Sequence, residues 1–325
     1  MNTNFGETPE GERVELVHLT NGGLRAQVMT WGATLQDFRL EGHPHSLILG
    51  APDLAPYLGQ MRYVGAIVGP VANRIAGGTA ELDGRRYHFD RNEAGRTTLH
   101  GGAQGIDNRV WQIEAQDAVS CQMVLHLKDG EGGFPGNRKL SALYALSGDG
   151  VLTLTLSATT DAPTWINLAN HAYWTLTGRD GLDDHDMTIA ADHYLEVDDQ
   201  QIPKGAPTPV DGTPFDFRLQ RPVRTAGAEK IDHNFCLTGA APALTLSGGG
   251  VTLTIETDAP GVQIFDCTGK RQGSGHDGRD YGPNAGLAIE PQYWPDSPNQ
   301  SAFPSIRVDP GETWSQTSRY HFGTP

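Results

Sequence analysis

The sequence predicts an all-β protein, a large antiparallel β-sandwich. Three observations carry that expectation. Apolar residues fall in short runs or alternate with polar ones, clusters of Gly, Asp, Asn and Pro separate those runs, and a sustained helical period is almost absent. With 41 glycines and 21 prolines in 325 residues, neither periodic nor confined to low-complexity blocks, the chain is rich in turns rather than disordered. At this length, folding can bury roughly three quarters of the unfolded surface, so a core needs no disulfide staples.

Taken in order, residues 24–38 read as a strand and a short helical turn begins near Asp53. Residues 79–89 form a hairpin turning at Asp83-Gly84, a dipeptide that two-residue hairpin loops favour. Strands follow at 110–114 and 123–127, and then 140–146 and 151–158 pair across Gly148-Asp149-Gly150. In the second arm Leu152, Leu154 and Leu156 share one face and Thr153, Thr155 and Ser157 the other, the pattern of a half-buried antiparallel strand. Residues 187–197, a hairpin over 244–257 turning at Gly248-Gly249-Gly250, and strands at 262–265, 287–290 and 313–322 complete the set. No βαβ alternation is present, which argues against a parallel nucleotide-binding sheet. Without a linker-like block or a repeat of roughly 20 to 50 residues, one domain over residues 1–325 is expected.

The charge balance, 24 Lys+Arg against 39 Asp+Glu for a net charge of −15, opposes nucleic-acid and membrane-surface partners. Cys121, Cys236 and Cys267 are too scattered for a disulfide framework or a zinc spacing. The polar, acidic start and the lack of a transmembrane-length apolar run suit a cytoplasmic protein. Gly273-Ser-Gly275-His-Asp-Gly278 matches the dinucleotide-binding glycine pattern, but Tyr281-Gly282-Pro283-Asn284 follows where that motif needs a helix. A mobile glycine loop is the expectation. His43-Pro-His45 and Asp183-Asp184-His185-Asp186 lack a metal-ligand spacing and read as solvated loops.

Two segments point to chemistry. In W-I-N-L-A-N-H-A-Y-W-T-L, residues 165–176, strand alternation puts Ile166, Leu168, Ala172, Trp174 and Leu176 on one face. Trp165, Asn167, His171 and Tyr173 fall on the other. That second face is a polar, aromatic platform suited to a sugar, whose C–H faces pack on rings while its hydroxyls bond to His and Asn. A hydrogen-bonded structural histidine reads from the same residues. In L-A-I-E-P-Q-Y-W-P-D, residues 287–296, Glu290 follows a core strand, where desolvation raises a carboxylic pKa and suits it to act as a base near neutrality. An edge glutamate in an ion pair is the alternative. Further polar residues stand in short apolar contexts: Asn73 and Arg74 in V-A-N-R-I, His100 in T-L-H-G-G, Asp232 in I-D-H-N-F and Gln263 in G-V-Q-I-F.

Together these segments resemble the aldose 1-epimerase family, the galactose mutarotases. The resemblance runs in order from N-G-G-L-R-A-Q-V-M-T-W-G-A-T-L through Y-V-G-A-I-V-G-P-V-A-N-R-I-A-G-G and P-V-D-G-T-P-F-D-F-R to the Glu290 segment. It implies a galactose mutarotase-like supersandwich with an open sugar cleft and an acid–base site using neither metal nor cofactor. By position, Glu290 matches the general base, His171 the general acid and His100 a second histidine near the ring oxygen. Arg74, Asp232, Gln263 and Asn73 match residues that hold sugar hydroxyls. Pro70 stands where the family usually has arginine, and Cys267-Thr268-Gly269-Lys270 replaces its usual T-G-N, changes expected to bear on the cleft rim.

The implied reaction interconverts the α and β anomers of a free aldose such as D-glucose or D-galactose. Glu290 would take the proton from the anomeric O1 while protonated His171 donates to the ring oxygen; rotation about C1–C2 and reversal of both transfers reclose the ring. The competing readings are a non-catalytic sugar sensor on the same fold, a glycosidase using Glu290 and Asp232, and a phosphosugar epimerase. The last would call for an arginine cluster or a helix N-terminus to receive phosphate.

Overall fold

The alternation in the sequence resolves into three principal antiparallel sheets in a computed structural model that describes residues 2–224, 229–269 and 273–323. Four strands, Thr3–Glu7, Arg13–Asn21, Leu24–Met29 and Thr34–Leu40, form a meander. A nine-stranded sheet runs in the order Gln112–Gln116, Ser120–Leu127, Arg138–Ser147, Val151–Thr160, Trp314–Gly323, Val251–Thr257, Leu244–Gly248, Asp186–Ile189, Arg221–Pro222. A six-stranded sheet runs Tyr173–Trp174, Leu287–Gln292, Gly261–Phe265, Asp232–Leu237, Ala191–Tyr194, Thr208–Pro209. Among the described residues no helix is long and apolar enough to cross a membrane.

The leucine face of Val151–Thr160 is buried and its threonine face half-buried, as its alternation requires. Asp83 and Gly84 both take positive φ, 51° and 75°, the conformation a two-residue loop needs to match strand twist. One contiguous core draws side chains from all three sheets. They meet at Trp174, whose ring stacks on Tyr320 of the nine-stranded sheet with centroids 5.4 Å apart and meets Phe38 of the meander edge-on at 5.9 Å. Replacing so buried a tryptophan by alanine costs about 3–5 kcal/mol.

Local conformation departs from the sequence expectations in several places. The expected strand over 24–38 is two strands, because Gly32 and Ala33 take φ of 64° and 45° and turn the chain. Residues 187–197 likewise divide, and the helical turn near Asp53 is the 3-10 turn Ala55–Leu58. The glycine loop forms a small hairpin in which Gly273–Ser274 pairs with Asp280–Tyr281. Within it His276 is buried, its amide donating to Gly50 O at 2.8 Å. The acidic stretch before the strand Asp186–Ile189 is not wholly solvated either: His185 is buried, and its Nε2 accepts the amide of Leu176 at 2.9 Å.

Candidate active site

Strand register on the six-stranded sheet assembles one wall. Glu290 lies opposite Gln263, which lies opposite Asn234; in the next row Tyr173, Ala288, Phe265 and Asp232 are successive partners. Residues two apart on a strand share a face. Glu290, Gln263, Asp232, Tyr173 and Phe265 therefore project together, and all five line a cavity of about 340 Å³.

The opposite wall comes from a two-residue ladder in which Arg74 pairs with Leu99 and Ile75 with Thr98. The residues flanking it, Asn73 and His100, both adopt left-handed backbone, φ 60° and 50°, and bond to each other: His100 N donates to Asn73 O at 2.9 Å, and Asn73 N to His100 Nδ1 at 3.2 Å. Gly101 follows because a Cβ there would sit 2.1 Å from Gly69 O. Asn73, Arg74 and His100 all line the cavity.

The segment 165–176 does not run as one strand. It breaks into Thr164–Trp165, Ala169–Asn170 and Tyr173–Trp174, each paired to a different partner. Of the four residues expected on a common platform, only His171 and Tyr173 line the cavity. Trp165 packs edge-on against Tyr87 and Phe89, and Asn167 clamps the main chain of Tyr293, accepting from its N at 2.9 Å and donating to its O at 3.1 Å. The irregular backbone of this stretch, gripped by several elements in turn, displaces the alternation.

His171 Nε2 and Glu290 Oε1 are 3.5 Å apart, both residues are buried, and Nδ1 of the first and Oε2 of the second have no protein partner. Burial pushes the Glu290 carboxyl well above the usual carboxylate range; the negative charge of Asp232 adds to this and Arg74 opposes it. Burial lowers His171 to about 4, against the pull of Asp232, and holds His100 well below its ordinary value, where the charges of its neighbours push the same way. The two shifts favour the carboxylic acid and the neutral imidazole, and transfer of the proton across the pair converts them into a carboxylate and an imidazolium.

Around this pair the polar groups are pre-arranged. Asp232 accepts from Gln263 Nε2 through one oxygen and Lys230 Nζ through the other, each at 2.9 Å. Arg74 is gripped by Glu93 through two bonds of 2.6 and 2.7 Å. Sequence reasoning missed Tyr63, Glu93, Gln201 and Lys230, which also line the cavity. Each stands in a turn or irregular stretch, so no periodicity marked it. Pro70 and Cys267 are not among the lining residues, and Lys270 lies outside the described residues.

His100, His171 and Glu290 bring donor atoms within 4.8 Å of one another, the number of protein ligands that a catalytic zinc uses. The set does not fit a metal. Because the Asn73 amide donates to Nδ1 of His100, the neutral ring carries its proton on Nε2 and acts there as a donor.

The family model for Aldose 1-epimerase matches residues 15–321. Over 338 residues the chain is 36% identical to the galactose mutarotase of Homo sapiens, covering 98% of this chain and 97% of that one. It is 32% identical to the aldose 1-epimerase of Escherichia coli (strain K12), covering 97% and 96%. Among solved structures, the GalM/aldose epimerase homologue from C. elegans superposes with a TM-score of 0.90 at 30% identity, covering 95% of this chain and 98% of that one. The galactose 1-epimerase of Lactobacillus acidophilus NCFM gives 0.87 at 26% identity, covering 100% and 98%.

Proposed function

Because this chain belongs to the aldose 1-epimerase family, and is therefore an isomerase of the anomeric centre of aldoses, we propose that Glu290 and His171 open and reclose the ring of a neutral hexose such as D-glucose or D-galactose. The observation that carries this reading is the buried pair itself, 3.5 Å apart with one unpartnered atom on each side chain. As carboxylate, Glu290 takes the proton of the anomeric hydroxyl; as imidazolium, His171 gives one to the ring oxygen, and the C1–O5 bond breaks to leave the aldehyde. Rotation about C1–C2 presents the other carbonyl face. Reclosure returns one proton from each site to where it began, so the cycle consumes no co-reactant.

His100 donates from Nε2 toward the ring-oxygen side, while Arg74, Asp232, Gln263 and Asn73 hold hydroxyls and fix the sugar against the pair. A neutral substrate is favoured because the cations of the cavity are already engaged, Arg74 with Glu93 and Lys230 with Asp232. A sugar phosphate would bring its charge beside Glu93 or Asp232. The three cysteines, all buried and not disulfide-bonded, suit the cytoplasm as its location. Polarimetry on freshly dissolved α-D-glucose and α-D-galactose tests the reading: the protein should hasten approach to an unchanged final rotation. A chain that binds either sugar but leaves the rate at that of buffer would be a sensor.

A further inference from the structure

Tyr63 carries a bulky aromatic side chain on left-handed backbone, φ 75°, a conformation that costs a non-glycine residue about 1–3 kcal/mol and persists where surrounding structure imposes it. Among the described residues ten non-glycine positions have positive φ, and four of them, Tyr63, Asn73, His100 and Gln201, line the cavity. The surroundings of Tyr63 indicate what its strained conformation accomplishes. The turn that contains it is fastened to the main chain of His171 on both sides, Gly65 N donating to His171 O and His171 N to Ala66 O, each at 2.9 Å. From that turn the phenol ring reaches back to the imidazole of the same histidine, with centroids 6.2 Å apart and planes 20° from parallel. Tyr173 stacks on the imidazole too, at 5.0 Å and 29°. The Tyr63 ring also contacts His100 at 4.9 Å. Over the Tyr63 ring lies the Arg62 guanidinium, 4.7 Å from its centroid, and that cation is tied to the buried carboxylate of Asp107 by a bond of 2.8 Å.

We propose that Tyr63 is a positioning residue: with Tyr173 it holds the imidazole of His171 in the plane that faces Glu290 and keeps water from it, and Asp107 and Arg62 brace it there. This rests on the reading of His171 as the acid. The groups that face His171 are Glu290, Asp232, Arg74 and His100, with Tyr63 and Tyr173 as stacking partners; Arg62 lies over Tyr63, and Glu93 and Lys230 line the same cavity. A tyrosine is uncharged at neutral pH, so removing this ring changes none of those charges. What it changes is the orientation of the imidazole and its access to solvent.

Three variants separate positioning from a merely structural role. Tyr63→Phe retains the ring and should leave the acid limb of the kcat/KM profile where the wild type has it, near 4. Tyr63→Gly suits the left-handed backbone, so strain relief offsets part of the lost packing. It should fold, yet lose about 10²-fold in kcat, as misplacement of a reacting group does, with KM little changed. The acid limb of its kcat/KM profile should move up from near 4 toward the ordinary histidine value of 6.5. Tyr63→Leu keeps the bulk without the flat ring and should show the same kcat loss with a smaller shift of the acid limb, which carries the test if the glycine variant does not fold. Unchanged kcat in Tyr63→Gly or Tyr63→Leu, or a rise in KM alone with the acid limb unmoved, overturns the proposal. His171→Gln is the control: full activity there overturns the reading of His171 itself, whereas inactivity there beside an unaffected Tyr63→Gly overturns only the role of Tyr63.

Discussion

Glu93 grips Arg74 in a two-pronged ion pair, Nε to Oε2 at 2.6 Å and Nη2 to Oε1 at 2.7 Å, and Thr97 Oγ1 donates to the same carboxylate at 2.8 Å. The arginine that borders the sugar cavity is thus fixed in orientation before any ligand arrives. Glu93→Gln removes one charge and one acceptor from this fork. A charge-assisted hydrogen bond contributes about 1.5–3 kcal/mol, so KM should rise roughly 10- to 100-fold, with kcat much less affected because Glu290 and His171 are untouched. Initial-rate polarimetry over a range of glucose concentrations separates the two constants.

The proton shared by Glu290 and His171 sets the pH dependence. Activity needs the singly protonated pair. As pH falls through about 4, His171 takes a second proton while Glu290 holds its own, leaving no base, so kcat/KM falls on the acid side. As pH rises, the Glu290 proton is lost last, above the usual carboxylate range, and the acid disappears. The profile of kcat/KM, corrected for spontaneous mutarotation, should be a plateau whose acid limb lies near 4. An acid limb at the ordinary histidine value would contradict the buried environment of His171.

Asp296 ties the Glu290 segment to the opposite wall. Its carboxylate accepts from Ala76 N at 2.9 Å and from Asn299 Nδ2 at 2.7 Å, and its amide donates to Arg74 O at 2.9 Å. Asp296→Ala leaves the partly buried Ala76 amide without that partner and should cost about 1 kcal/mol, seen as a lower denaturant midpoint at unchanged slope. The main-chain bond from residue 296 to Arg74 O survives the substitution, so KM for glucose should change much less.

Glucose 6-phosphate tests the engagement of the cations. The phosphate would reach Arg74 or Lys230 beside the carboxylates that already offset their charge, Glu93 and Asp232. With like charges juxtaposed, kcat/KM should be roughly 10- to 100-fold lower than for glucose. A preference for the phosphate ester would favour a phosphosugar epimerase instead.

Much of this architecture was legible in the sequence because strand alternation is a local signal. The threonine and leucine faces of Val151–Thr160 and the turn at Asp83-Gly84 follow from neighbours along the chain. Glu290 was visible as an acid following a core strand, and Asp232 and Gln263 as polar residues in apolar runs that the sheet register brings together. The alternation in residues 165–176 misled for Trp165 and Asn167, because long-range pairing breaks that stretch into three short ladders. Tyr63 and Glu93 gave no signal, since a left-handed backbone at a tyrosine and an ion pair across 19 residues arise only from tertiary contacts.

If the Glu290–His171 pair moves the two protons of ring opening, loss of either side chain must slow mutarotation. The most direct measurement follows optical rotation of fresh α-D-glucose with the wild-type protein, Glu290→Gln and His171→Gln, each confirmed as folded by its circular dichroism. Each proton transfer contributes about 10²–10⁴ in rate, so the wild type should speed approach to the final rotation and each variant should lose at least about 10² of that acceleration. A Glu290→Gln protein that mutarotates glucose as fast as the wild type would contradict the account.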